Sequence, residues 1–199
     1  FGCVPTLGTA NLFWSFVRSD SHKLQGPQNL HRDYDDYRIV NIFVNFTDTE
    51  ENDGAFCMIE KTHSWEQSTK IFDPEKRDTV PDKLNPYGRP LKAEDLFVLP
   101  FKGFGFNDLY EHLYKGHVRQ FFGPAGTVMC ADGYGLHQGI LPKSRDRLQF
   151  WLLFTLTRVT SETAGVPHLK RVAYSEVEES IENTSLNRYV LRNIIDFRK

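Results

Sequence analysis

The chain has 199 residues, 40% of them apolar and 25% charged, with a formal net charge of −2. That length supports one domain with a real core, and the balance of charge is too near neutral for a nucleic-acid footprint or an anionic membrane surface. No apolar run reaches the roughly 18 residues that span a bilayer, and the start "FGCVPTLGTA" lacks a basic then apolar leader, so a cytoplasmic protein is expected.

In chain order, residues 9–18, "TANLFWSFVR", read as an aromatic-rich strand. "YRIVNIFVNF" (37–46) is a second strand, with Ile39, Asn41, Phe43 and Asn45 on one face. Val40, Ile42, Val44 and Phe46 make the other face wholly apolar. "TDTEENDG" (47–54) is a turn, and "AFCMIEKTHS" (55–64) a third strand. Residues 66–95 are polar, carry several prolines and glycines, and read as a long excursion. "LFVLPF" (96–101) is a short strand, and "FGFNDLYEHLYKG" (104–116) is mixed. "GTVMCADGYGLHQG" (126–139) is a strand running into a Gly-punctuated bend, and "RLQFWLLFTLTRV" (147–159) a long strand. In the tail, Ser175 and Glu178 have the capping-box spacing, and Leu186, Tyr189, Val190 and Ile194 fall at helical spacing. Many strands at short intervals with helix only at the end predict a mainly β sandwich or jelly roll. One domain over 1–199 is expected, with a core at about 9–158 and a helical tail at about 165–199.

Cys3, Cys57 and Cys130 are sparse, odd in number and without CxxC spacing. They predict free thiols in a reducing compartment, with no disulfide framework or zinc knuckle. The sequons at Asn45 and Asn183 read as chance matches, the first lying inside a strand.

The chemistry-bearing pattern begins at His31-Arg32-Asp33, the only His-x-Asp in the chain. On an extended backbone, residues i and i+2 point the same way, so this spacing supplies two ligands from one strand end. Non-haem Fe(II) oxygenases use two histidines and a carboxylate, leaving metal positions open. His137, in a Gly-rich bend far downstream, is the candidate third ligand. Arg147 opens the last long strand, sharing a face with Gln149 and Trp151, and its planar fork matches a carboxylate. Arg145 is an alternative anchor. His63, His112 and His117 are rival ligands: His63 reads as structural or pocket-lining, and His112 and His117, with no carboxylate at i+2, as satisfied by hydrogen bonds. Asn41 and Gln149 are candidate contacts to a bound co-substrate, and no role is assigned to Asp35 and Asp36.

Those blocks together carry a resemblance. "HRDYDDYRIVNIFVNFTDTEENDGAFCMIEKTHSW" with "GTVMCADGYGLHQGILPKSRDRLQFWLLF" resembles the phytanoyl-CoA hydroxylase family of Fe(II)- and 2-oxoglutarate-dependent dioxygenases. The likeness covers about residues 9–158. It implies a double-stranded β-helix, the jelly-roll core of cupin-like proteins. It implies Fe(II) at His31, Asp33 and His137, with the distal 2-oxoglutarate carboxylate at Arg147. Similar enzymes convert 2-oxoglutarate and dioxygen to succinate and carbon dioxide while hydroxylating a small organic substrate. Asp33 stands where related halogenases have Gly or Ala, which implies hydroxylation or a desaturation-type outcome. Leu153 stands where nucleic-acid demethylase relatives carry a second arginine. Two departures are evident. Glu60-Lys61-Thr62 replaces a frequent Pro-Gly-Ser, and only 30 residues precede His31, so an upstream contribution to the pocket is absent or unseen. The alternative from another class is a cupin-like protein that binds metal without oxidising, or a metal-dependent hydrolase or isomerase. The loops 64–95 and 102–122 are expected to set specificity.

Overall fold

The structure is a computed structural model of the whole chain. It describes residues 2–19, 23–34, 36–71, 75, 79–85, 87–92, 94–95, 107–156, 172–191 and 194–198, except the side chains of 107 and 115. The predicted strand at 96–101 therefore lies outside the described residues, as does Asp35.

Two antiparallel sheets carry the described fold. The first has the order β1-β7-β2-β5, built from β1 (Thr6–Ser15), β7 (Arg147–Thr155), β2 (Ile39–Asn45) and β5 (Val128–Asp132). The second has the order β4-β3-β6, from β4 (Val118–Phe121), β3 (Phe56–Ile59) and β6 (His137–Gly139). His31 joins the second sheet through an isolated antiparallel bridge to His137. The chain thus visits the first sheet at β1, the second at His31, the first at β2, the second at β3 and β4, then alternates through β5, β6 and β7. Residues far apart in sequence are brought side by side at one end of the paired sheets.

Phe43 of β2, Met129 and Ala131 of β5 and Phe56 of β3 pack between the sheets, with the Phe43 and Phe56 rings 4.6 Å apart. The pleat of β2 runs opposite to a simple hydrophobic reading. The face with the amides is the buried one: Asn41 is 1% exposed and Asn45 fully covered. Both amide oxygens are partnered there, which offsets much of the desolvation cost, while Asn45 Nδ2 has no partner. Gln149 Nε2 donates to Asn45 Oδ1 at 2.9 Å, and Trp151 Nε1 donates to Asn41 Oδ1 at 2.8 Å. Val40, Ile42 and Val44 are only half-buried on the other side, and Phe46 is exposed.

A second core forms outside the second sheet. Leu109, Tyr110, Leu113 and Tyr114 of a helix at Asn107–Tyr114 pack on Leu30, Ile59 and Leu136. The stretch that reads as mixed in sequence is a helix because the i, i+4 pair Leu109/Leu113 has this surface to cover. The long excursion also contains a helix, α1 (Trp65–Ile71), making Asn107–Tyr114 α2. Asp53-Gly54 closes the turn before β3. Gly54 has φ +77°, and a Cβ there would lie 2.6 Å from the Ile140 carbonyl oxygen, so neither the conformation nor the space admits a side chain.

In the tail, the Ser175/Glu178 spacing does not open an α-helix. A 3-10 turn spans Tyr174–Glu176, and Glu176 accepts from the Ala173 amide at 3.3 Å. The helix α3 (Ser185–Val190) starts later, capped by Thr184, whose hydroxyl accepts from the Asn187 amide at 3.1 Å. A short parallel pair, β8 (Val172–Ala173) and β9 (Ile195–Asp196), ties the tail together. Among the described residues, no helix is long and apolar enough to cross a membrane.

Candidate metal centre

His31 and His137 face one another across a reciprocal backbone pair, each amide donating to the other's carbonyl at 2.9 Å. Asp33 is anchored two residues on, its amide donating to the Gly133 carbonyl at 2.9 Å. These bonds fix three backbones, so the side chains converge without relying on flexible loops. One ligand atom each from His31, Asp33 and His137 lies within 4.8 Å of the others, a spacing suited to one metal ion.

The tautomers follow from hydrogen bonding. His31 Nδ1 lies 2.8 Å from the Asn29 carbonyl, and His137 Nδ1 lies 2.8 Å from the Gly135 carbonyl. A carbonyl only accepts, so each Nδ1 carries the proton and each Nε2 presents a lone pair. Both Nε2 atoms lie 3.6 Å from oxygens of the Asp33 carboxylate. Asn41 Nδ2 donates to Asp33 Oδ2 at 2.6 Å, completing a relay from Trp151 through Asn41 to Asp33.

Electrostatics keep these groups ready as ligands. Burial pushes the Asp33 carboxyl up, but its polar neighbours, the Asn41 hydrogen bond among them, outweigh it and hold the carboxyl below its ordinary value. Burial lowers His137, keeping its imidazole neutral. Gly133 is required for this packing. A Cβ there would lie 2.8 Å from Asp33 Oδ2 and 2.7 Å from Ile39 Cγ2.

Arg147 opens into the same cavity of about 510 Å³ that exposes His31, Asp33 and His137. Its side chain is buried, with only a long 3.4 Å contact from Nη2 to Ser15 Oγ. Nε and Nη1 have no hydrogen-bond partner. Burial lowers this guanidinium to about 10, and it remains charged at neutral pH. Asn41 and Gln149 also line the cavity, although each is engaged by protein neighbours. Arg145 lies elsewhere: it pairs with Asp53 at 2.5 Å and Glu50 at 3.5 Å, and does not line the cavity.

The other sequence candidates separate cleanly. His63 is exposed and lines a different cleft with Arg38, Asp132 and Tyr134. His112 Nε2 lies 3.2 Å from the Thr79 hydroxyl. Asp36 is buried in a turn, its carboxylate accepting from the Tyr37 amide at 2.6 Å and its carbonyl from the Tyr134 hydroxyl at 2.7 Å.

Sequence reasoning missed the opposite side of the His-x-Asp segment. The intervening Arg32 points away from the cavity and is 1% exposed. Its guanidinium donates to the carbonyls of Thr62 and Tyr134, on the two loops behind the histidines. Thr62 continues the clamp, donating to the Ile59 carbonyl at 2.7 Å and accepting from the Leu136 amide at 2.8 Å, next to His137. Lys61 in this turn is left-handed with φ 63°, the conformation that glycine adopts freely. Glu60-Lys61-Thr62 therefore turns through a glycine-type backbone at Lys61. The sequence signal for Arg32 was its position alone: an i+1 residue between two inward ligands faces the other way.

No family model matches this chain, and no curated protein matches it. Solved structures give low-identity likenesses. EctD from S. alaskensis in its apoform is 13% identical with a TM-score of 0.45, covering 77% of this chain and 46% of that one. The non-heme alpha ketoglutarate dependent carbocyclase SnoK from nogalamycin biosynthesis is 10% identical with a TM-score of 0.42, covering 77% of this chain and 50% of that one. The non-heme monooxygenase ThoJ, in its Ni complex, is 12% identical with a TM-score of 0.40, covering 78% of this chain and 46% of that one. The chain spans about half the length of these three structures.

Proposed function

We propose that this chain is a single-domain, Fe(II)- and 2-oxoglutarate-dependent oxygenase of the jelly-roll type, in the phytanoyl-CoA hydroxylase group. It hydroxylates a small organic substrate. The alternation of strands between two antiparallel sheets supports the double-stranded β-helix. His31, Asp33 and His137 are the iron ligands in this reading, and their two imidazoles plus carboxylate suit Fe(II) with open positions. When bound, iron with 2-oxoglutarate and dioxygen supplies oxidative decarboxylation to succinate and carbon dioxide, coupled to transfer of one oxygen atom to a C–H bond.

The observation that carries this reading is Arg147. A buried guanidinium with two unpartnered nitrogens, open to the metal cavity, is a charged fork awaiting a carboxylate. A protein that only holds a metal has no use for such a group there. Arg147 takes the distal carboxylate of 2-oxoglutarate, and Ser15 stands beside it at 3.4 Å as a further donor. Asn29 and Gly135 hold the imidazole tautomers, while the Trp151-Asn41 relay orients Asp33. Phe43 and Phe56, on the lining between the sheets, keep water from that side of the centre.

The test is succinate formation by purified protein with Fe(II), ascorbate and 2-oxoglutarate, alongside metal titration of His31→Ala. Uncoupled succinate release and loss of metal binding in the variant are expected. No succinate together with undiminished metal binding in His31→Ala overturns the assignment.

A further inference from the structure

The Asp33 carboxylate offers its two oxygens to the histidines at equal distance. Oδ1 lies 3.6 Å from His31 Nε2, and Oδ2 lies 3.6 Å from His137 Nε2. A carboxylate binds a metal through one oxygen or through both. The choice decides how many metal positions stay open.

Asn41 breaks the symmetry. Its Nδ2 donates to Oδ2 at 2.6 Å, a short bond to an ionised acceptor and of the strong kind. The direction of that amide is fixed in turn. An indole N–H only donates, and Trp151 Nε1 donates to Asn41 Oδ1 at 2.8 Å, so Asn41 must turn its NH2 toward Asp33. Asn41 is 1% exposed on β2, which pairs with the β7 strand that carries Trp151, so both partners stand on paired backbone. Gly133 closes on the same oxygen, since a Cβ there would lie 2.8 Å from Oδ2. Oδ2 is therefore walled in from two directions.

We infer that Asn41 is a positioning residue that restricts Asp33 to one metal bond, through Oδ1, and that Trp151 sets the amide for it. This rests on the metal site and co-substrate proposed above. A six-coordinate ion with two imidazoles and one carboxylate oxygen keeps about three positions free. A 2-oxo acid chelates through two neighbouring oxygens and leaves one position for dioxygen. A carboxylate held through both oxygens would leave only about two, and the co-substrate would fill them. Asn41 thus keeps the dioxygen position open. A residue that merely supports a ligand behaves otherwise, because its loss weakens metal binding about 10–100-fold. Here its loss frees a second oxygen for the ion, so affinity should hold while a position on the metal is lost.

The experiment loads the protein with Mn(II) alone and measures water-proton relaxivity per bound ion, which counts exchangeable waters on the metal. Asn41→Leu removes the donor at similar volume, and Trp151→Phe removes only the lock on the amide. Relaxivity per bound ion should fall by about a third in Asn41→Leu and by less in Trp151→Phe. Mn(II) affinity should stay within about ten-fold of wild type in both. Adding 2-oxoglutarate should remove about two thirds of the wild-type relaxivity and nearly all of that of Asn41→Leu. The inference is overturned if both variants keep the wild-type relaxivity per ion, or if both lose more than about ten-fold in Mn(II) affinity, which marks a supporting role only. If Asn41→Leu does not fold, Trp151→Phe alone decides. Mn(II) binding unchanged in His31→Ala removes the metal-site reading and this inference with it. A wild-type relaxivity that ignores 2-oxoglutarate removes the co-substrate reading and leaves the one-oxygen assignment standing.

Discussion

Replacing Arg147 by methionine should stabilise the protein without ligands and abolish its response to 2-oxoglutarate. Burial lowers the guanidinium from its ordinary value to about 10. At about 1.4 kcal/mol for each unit, the folded chain bears roughly 3 kcal/mol of destabilisation from that charge. The sign is definite: the folded value lies below the unfolded one. The penalty is therefore complete below pH of about 10 and declines only as pH rises from there toward the ordinary arginine value. Neutral pH carries all of it. An apolar side chain of similar volume removes the penalty, so Arg147→Met should gain about 1–3 kcal/mol, roughly 3–10 °C in Tm for a chain of this size. With metal and 2-oxoglutarate at 100 times Kd, the wild type should gain about 2.7 kcal/mol. The variant should lose about 2–5 kcal/mol of 2-oxoglutarate binding, so that gain falls below about 1 kcal/mol. Thermal unfolding with and without 2-oxoglutarate, with metal present throughout, reads both effects. A less stable variant whose Tm still rises with 2-oxoglutarate would show Arg147 to be a structural residue.

Three further outcomes test the supports of the site. Gly133→Ala places a methyl 2.8 Å from Asp33 Oδ2, so metal affinity should fall about 10–100-fold by titration; unchanged affinity would sink the packing argument. Thr62→Val keeps the shape but leaves the buried Leu136 amide unpaired, costing about 1–3 kcal/mol; thermal unfolding within a degree of wild type would disprove that clamp. Arg145→Ala should lower stability at neutral pH while leaving 2-oxoglutarate affinity intact, because Arg145 serves Asp53 and not the cavity. The Arg145 hydrogen bond holds the Asp53 carboxyl below its ordinary 3.8, so the pair stabilises above that pH and its contribution is lost as pH falls through the folded value. The stability gap between variant and wild type should close on acidification, and a drop in 2-oxoglutarate affinity would return the anchor role to Arg145.

The site was legible where its geometry is local, and obscure where it depends on distant partners. His31 and Asp33 could be paired from sequence because an extended backbone repeats every two residues. His137 and Arg147 could be added because a bend and a strand start each aim a side chain. Choosing Arg147 over Arg145 needed the fold: both are arginines in one turn, and only burial and the Asp53 partner separate them. Arg32 escaped notice because its partners, Thr62 and Tyr134, lie 30 and 102 residues away. The burial of Asn41 and Asn45 ran against their polarity for the same reason, since Trp151 and Gln149 donate to their amide oxygens from β7. The helix α2 was hard to read because its pairs Leu109/Leu113 and Tyr110/Tyr114 span only eight residues, and its covering surface comes from Leu30 and Leu136.

Charge balance links the metal triad to the arginine more tightly than either motif alone. Asp33 is a largely buried anion between two histidines whose protonated nitrogens face outward, and among the described residues no arginine or lysine pairs with it. Arg147 is buried as a cation with no carboxylate partner. Each is an expensive charge on its own. A divalent cation beside Asp33 satisfies that carboxylate but leaves a net charge of two positive units with Arg147 in one enclosed site. Adding a dianion that reaches from the metal to the guanidinium brings the sum to zero. A monoanion or a neutral ligand does not. A metal and a dicarboxylate together would balance these charges, which favours the proposed reading over one in which the site holds a metal alone.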